Sequence, residues 1–596
     1  MKAHVATTYR KSQRSDKKPI QPTAHYFPHF KSYFPKVNIE VAWEAQNSTS
    51  HHSCEGDKHC LYKDIRRQSQ RLQGVSDDLP SQQDPSSRVF LEDDGSTQPS
   101  VISQSYGSNG THHCDLGDGM HTFTTDQSVN IADNSLRIAD AINPRHSPAF
   151  DGFYSSFFKG HPFVLPKFHL LQLFDRDPLS VTNVIKAIAF IGSLYIRDAA
   201  SPEYRAAVEV AITKGLPHNG FSVQCLLLFA GALEWSGEQD KAASVLRDTK
   251  SMALGIKMNS QSFASKNGQR WAILEDSWRR TWWELYIIDS IFAGIRHLPT
   301  FDLWNEEGDV DLPCEEMDYV KGDISLPRTL VEYDDRAFED GHSLFSSFAY
   351  LIDAARILGS TLSIADKIGD SVLPTVKNAE ANIASWHLYL PDYKKEPVQV
   401  DGSVDEIMFR AHMFINTVTT HLHRPQSRLH SSTMEILCSQ YAHPQHSKAL
   451  LVNYKNERHT FQAVQSARTC VELFTLTASP TTHTPFIMCM GSMATATHIS
   501  ACEYYLKGSE YAHAKDRVRV FLGVLKAFED IWPQARKWSG EVKLMAKAVF
   551  ENRDKTGELL LAGSVDSMNG VEGFDSSSLG LDLVLLRSCF AYFGDE

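Results

Sequence analysis

Residues 276–290 read Asp-Ser-Trp-Arg-Arg-Thr-Trp-Trp-Glu-Leu-Tyr-Ile-Ile-Asp-Ser. Trp282, Trp283, Tyr286 and Ile287 fall at adjacent and i+4 positions, so a helix of 3.6 residues per turn gathers them on one side. Each aromatic buries a large area and each indole N–H still needs an acceptor, so these side chains are expected in a core. Arg279 and Arg280 come just before them and are expected to pair, at the edge of that core, with Asp309 and Asp311 of Asp-Val-Asp-Leu-Pro (309–313). A long buried helix is therefore the first element the chain specifies.

The same periodicity spreads outward. Val184, Ile185, Ile188, Ile191 and Tyr195 line one helical face, as do Ala242, Val245, Leu246, Thr249, Met252 and Ala253. It recurs over roughly 202–213, 218–235, 269–294, 341–360, 372–391, 404–423, 459–477, 486–507 and 513–550. Gly215, Pro217, Gly237, Gly255, Pro299, Pro313, Pro391, Pro425, Pro480 and Pro485 stand in the gaps, where helices should stop. About a dozen helices are predicted, with no convincing strand and no repeat of fixed period. The fold class is all-α: a large irregular helical domain with a disordered N-terminal region.

At 596 residues, with 42% hydrophobic and 22% charged residues, the chain is far too long for a single small module. The longest apolar stretches, such as 184–196 with Lys186 inside it, fall short of the ~20 residues a membrane span needs, and no apolar signal core opens the chain. No membrane partner is expected. Ten scattered cysteines fit a reducing compartment without structural disulfides.

The net charge of −13 is unevenly spread: residues 1–73 carry +7 and residues 74–150 carry −8. A basic N-terminal segment (1–73), an acidic disordered linker (74–155), a helical body (160–550) and an acidic, apolar C-terminal segment (551–596) follow from this division.

Arg279-Arg280-Thr281-Trp282-Trp283, the downstream acid Asp289 and the Asp309-x-Asp311-x-Pro313 exit resemble the middle homology domain of fungus-specific transcription factors, the regulatory body of the zinc binuclear cluster family. Gln224 to Leu228 with Gly237 and Gly255, Leu422-His423-Arg424-Pro425, and Trp532 with Ala535 resemble further parts of it, in the same order, over roughly 160–550. His297-Leu298 stands where Gly-Arg commonly precedes the proline, which bears on how tight that turn is. The resemblance implies a nuclear transcription regulator controlling a gene set, for example a biosynthetic or metabolic cluster. Its implied partners are DNA, coactivators, other transcription factors and a second copy of the chain. A co-regulator without its own DNA binding is the alternative.

The family's DNA reader holds two zinc ions with six thiolates, whereas Cys54, Cys60 and Cys114 are the cysteines before residue 160. Cys54 to Arg67 is similar to the tail of such a cluster, with x5 rather than x6 between its cysteines. A diverged cluster, a first segment replaced by residues 1–53, and a chance pair are the alternatives; Cys54 and Cys60 are the candidate zinc ligands of an incomplete set. Lys58, Lys63, Arg66, Arg67 and Arg71 could contact phosphates, giving salt-sensitive, sequence-blind affinity, or serve as an import signal.

No phosphate loop, dinucleotide fingerprint, nucleophile elbow or His-Glu-x-x-His pair is present. Asp334, Asp335, Glu339 and Asp340 invite comparison with the magnesium-binding acids of an all-α terpene cyclase, but no second metal-binding motif follows and a solvated loop accounts for them better. No enzymatic activity is expected. Between Phe574 and Phe590 acidic and apolar residues interleave (Asp575, Leu579, Leu581, Asp582, Leu583, Leu586), as in segments that fold onto coactivators; docking of this stretch on the body is the competing reading.

Overall fold

The computed structural model describes residues 143–336, 344–364, 372–438, 455–476 and 478–563. Helix α1 (Pro148–Gly152) opens on Ser147, whose hydroxyl accepts from the Phe150 N–H. Helix α2 (Lys167–Arg176) and α3 (Pro178–Leu194) meet at Asp177, which caps α3 by accepting from the Ser180 N–H. Helices α4 (Ser201–Thr213) and α5 (Gly220–Trp235) are followed by Gly215 and Gly237 at φ of +88° and +86°, the left-handed turn that glycine adopts freely. Helix α6 (Gln239–Gly255) and α7 (Gln261–Asn267) lead into α8 (Ala272–Ile295), which carries the quoted stretch.

After α8 come α9 (Glu316–Lys321) and α10 (Leu330–Asp334), the second opened by a reciprocal cap between Thr329 and Glu332. Then follow α11 (Ser347–Leu362), α12 (Val372–Leu388), α13 (Glu406–His423), α14 (Thr433–Cys438), α15 (Lys455–Leu473), α16 (Ile487–Tyr504), α17 (Gly508–Phe528) and α18 (Pro533–Gly563). Among the described residues there is no strand, only isolated bridges such as Leu312 with Arg328. The body is all-α, as expected.

Helices α1 and α3 to α6 pack in one stack, α11, α13, α15 and α16 in another with α17 and α18 against α16, and α8 lies between α5 and α11. Nearly every residue of α8 is buried, the state of a helix that touches protein all round. Trp235 at the end of α5 meets Trp532 edge-on at 5.1 Å and Phe486 at 4.9 Å, joining the first stack to the last helices.

The structure departs from the sequence reading at three places. Residues 148–155, expected in the linker, belong to the body: Phe150 and Phe153 are fully buried, and α1 approaches α3 so closely that a Cβ on Gly192 would stand 1.8 Å from the Ala149 carbonyl oxygen. The periodic stretch 513–550 is two helices, because Pro533 starts a new one after the buried Trp532. Helix α18 runs on to Gly563 rather than stopping near 550. The short helices α1, α2, α7, α9, α10 and α14 span too few turns for a period to show.

The expected disordered N-terminal region, the residues from Cys54 to Arg71, Glu339 and Asp340, and the stretch from Phe574 to Phe590 lie outside the described residues. No described helix is long and apolar enough to cross a membrane.

Candidate functional site

The motif is a helix and a strap. After Ile295 the chain reverses and returns along α8, so residues 301–316 meet it in antiparallel order. Asp289 accepts from the Leu303 N–H at 3.0 Å and from Lys250 Nζ at 2.6 Å. Tyr286 meets Phe301 edge-on at 5.0 Å, and the Trp283 indole donates to the Asp311 carbonyl at 3.0 Å. Asp276 accepts from the Cys314 N–H at 3.2 Å, and Ser346 donates to the Pro313 carbonyl at 2.8 Å. Burial pushes the Asp289 carboxyl above its usual range, against the opposing pull of Lys250.

The two arginines divide differently from the expected pairing with Asp309 and Asp311. Arg280, fully buried, donates to Asp276 at 2.7 Å, Glu316 at 3.2 Å and the Cys314 carbonyl at 2.6 Å, with its guanidinium 4.0 Å from the Tyr319 ring centre. Arg279 reaches Asp311 at 3.9 Å and Asp276 at 3.5 Å. Asp309 accepts instead from the Gln261 N–H at 2.7 Å and so pins the start of α7. The cause is register: the returning strap puts Cys314, not Asp309 or Asp311, beside Arg280.

The opposite face of α8 carries a second polar set that the sequence reading missed. Glu284 takes a bidentate pair of hydrogen bonds from Arg410 of α13, both 2.9 Å, and meets His161 Nδ1 at 2.7 Å. His161 Nε2 contacts the Thr484 hydroxyl at 2.8 Å, and its ring stacks on Phe157 at 4.6 Å. Burial and Arg410 drive His161 down to about 4; burial alone would raise Glu284, but Arg410 and His161 hold it at about 2. One turn back, the Gln224 amide of α5 reaches Ser277, Thr281 and the Phe163 carbonyl. A lone acid in Trp-Trp-Glu-Leu-Tyr was the available signal, since a buried carboxylate requires partners; those partners stand more than a hundred residues away.

Beyond the reach of these contacts, the end of α8 is apolar. Leu298 N–H bonds to the Ala293 carbonyl at 2.9 Å across a turn whose pivot, His297, has φ of +52°. The turn is thus as tight as glycine would make it. Beside it opens a small pocket with about 50 Å³ of free space, lined by Ile291, Gly294, His297, Phe414, Met490 and Met493 among others. The lining is apolar, and a molecule larger than a few heavy atoms would have to spread these side chains to enter.

Arg279, Arg280, Trp282, Trp283, Asp289, Asp309, Asp311 and Pro313 are therefore gathered in one region, with Trp282 and Trp283 buried in the core. Cys54, Cys60, Lys58, Lys63, Arg66, Arg67 and Arg71 are outside the described residues. Asp334 pairs with Arg356 at 2.8 Å, a contact between α10 and α11 rather than a metal-binding arrangement.

A model of the family described as "Fungal specific transcription factor domain" matches residues 221–390, a span that contains the clasped helix and its strap. Over 424 residues, 69% of the chain, it is 30% identical to the C6 finger domain transcription factor iacK of Pestalotiopsis fici. The chain carries the fungal specific transcription factor domain. It covers 62% of that relative's length, and no solved structure matches it. That relative is named for a six-cysteine finger; the described cysteines of this chain do not form one. Cys225, Cys314, Cys470, Cys489 and Cys502 are buried free thiols, and burial raises Cys225 and Cys470 to about 12, far from the thiolate zinc requires.

Proposed function

We propose that this chain regulates transcription of a gene set in the nucleus, with the helical body as its regulatory module rather than an enzyme. The 30% identity to a transcription factor over 424 residues, 69% of the chain, carries this reading. The basic segment 1–73 supplies electrostatic affinity for DNA through Lys58, Lys63, Arg66, Arg67 and Arg71, weak and sequence-blind when Cys54 and Cys60 are its only clustered thiols. The apolar, acidic end from 551 recruits coactivators or other transcription factors.

The pocket at the end of α8 is where the body would receive a compact apolar effector. It joins α8, α11, α13 and α16, so an occupant there bears on both helical stacks. Deleting the gene and restoring it on a plasmid, followed by transcript profiling, should change and rescue one coherent gene set; no such set would refute the regulator reading. Gly294→Leu fills the pocket, because a Cβ there meets only Leu358 at 3.7 Å. The variant should lose binding of an anilinonaphthalene sulfonate dye and any reporter response to apolar compounds; unchanged dye binding would remove the pocket from the proposal.

A further inference from the structure

A second constellation lies where α12, α13 and α15 meet. His423 of Leu-His-Arg-Pro ends α13, Glu380 sits on α12 and His459 in the first turns of α15. The Nδ1 atoms of His423 and His459 are 2.7 Å apart, and Glu380 Oε1 is 3.9 Å from His423 Nδ1. All three atoms lie within 4.8 Å of one another.

Two ring nitrogens at 2.7 Å hold at most one proton between them, so one donates and the other accepts. Glu380 Oε1 is buried and accepts no hydrogen bond, a costly state for a carboxylate oxygen. The other carboxylate oxygen accepts from Arg458 at 3.1 Å, which fixes the group without serving the buried atom. Three ligand atoms therefore converge with too few protons to join them. A cation resolves the shortage where a further hydrogen bond does not.

We propose that Glu380, His423 and His459 bind a divalent transition-metal ion of the zinc class, with a fourth position open to water. Two imidazoles and one carboxylate form a zinc ligand set, whereas magnesium and calcium prefer all-oxygen shells. Zinc bonds of about 2.0–2.2 Å set ligand atoms about 3.4 Å apart, so the imidazoles spread by about 0.7 Å and the carboxylate closes by about 0.5 Å on His423 and by at most about 1.4 Å on His459. His423 is nearly enclosed, with its side chain 4% exposed, while Glu380 at 17% gives the ion a route in. The bound ion would lock α12 and α15 to the end of α13 and couple the stability of the body to metal supply.

The test uses the full chain carrying Cys54→Ser and Cys60→Ser, which removes the other candidate zinc ligands. After chelation and dialysis it should take up one zinc ion, melt higher with zinc than with magnesium, and give a cobalt(II) visible spectrum without thiolate charge transfer. His459→Gln and Glu380→Gln replace the less enclosed ligands; their folding is checked by circular dichroism without metal. Each should weaken zinc binding by at least about 100-fold, more than the loss of an outer hydrogen-bond partner does, and should abolish the zinc-dependent rise in melting temperature. No zinc uptake by the parent, or uptake and melting shift unchanged in both variants, overturns the site.

Discussion

The two ends of α8 belong to one helix and are built on opposite principles. From Asp276 to Asp289 both faces are held by directed contacts: the strap on one side, and Glu284 with Arg410 and His161 on the other. From Ile291 to Ile295 the surroundings are mainly apolar side chains and a small pocket, followed by Arg296, which donates to Glu234 at 2.7 Å, and a turn held at positive φ. Hydrogen-bonded ionic networks admit one geometry, since any shift leaves a buried charge unpaired. Apolar contacts are non-directional and tolerate rearrangement. The first end fixes the helix in the body; the second can adapt to an occupant.

The sharpest way to break this contrast is Glu284→Leu, which strands Arg410 in a dry interior. A loss of about 3–5 kcal/mol is expected, read by chemical denaturation, and Glu284→Leu with Arg410→Met should recover most of it. If the double variant is no more stable than the single, the contacts are not acting as a pair. Trp283→Ala should cost about 3–5 kcal/mol by opening a core cavity and orphaning the Asp311 carbonyl it serves. By contrast Gly294→Leu, at the adaptable end, should cost under about 1.5 kcal/mol. Equal losses at the two ends would erase the distinction.

The long helices and the buried aromatics of α8 were legible, because a 3.6-residue period over several turns and a Trp-Trp pair are local signals. The motif acids were legible as a group, but not their partners. Asp289 holds Lys250 and the start of the strap, whereas Asp309 and Asp311 both accept from Gln261 of α7, and which arginine meets which acid depends on the register of the strap, a tertiary property with no local trace. Glu284 is a lone acid among apolar neighbours and was passed over, and its partner Arg410 is one of many basic residues downstream. Residues 148–155 were misread because the phenylalanines at 150, 153, 157 and 158 occupy too short a run after a polar segment to declare a period.

Acid should weaken the polar network on α8. His161 is held at about 4 against a free value of 6.5, so between these values the unfolded chain binds a proton that the folded chain refuses. Stability is therefore lost as pH falls from 6.5 towards 4, at roughly 1.4 kcal/mol per unit of depression. His387, held at about 4, and His423 and His498, held at about 3, all chiefly by burial, add to this, while Glu541 and Glu316, raised by burial to about 7 and about 8, act the other way above 4.5. Melting temperature measured from pH 7.5 to 5 should fall, and His161→Gln should lower the plateau but flatten the descent. An identical slope in that variant would mean that His161 does not carry the effect.

The smallest expected effect tests the other end. His297 pivots the turn after α8 at φ of +52°, a conformation that costs a side chain with a Cβ about 1 kcal/mol and costs glycine nothing. His297→Gly should therefore stabilise the body by up to about 1 kcal/mol, less what the glycine gains in freedom when unfolded. The ring also lines the pocket, so its removal has a consequence of its own. His297→Ala separates the two: it deletes the ring but keeps the strained backbone, and should fall below His297→Gly by about the same 1 kcal/mol. Both variants should alter dye uptake equally, because both open the mouth. If they prove equally stable, the backbone at 297 is not strained and the turn owes its shape to the side chain; if only glycine alters uptake, the turn itself moves and the adaptable region extends into the chain that leads to the strap.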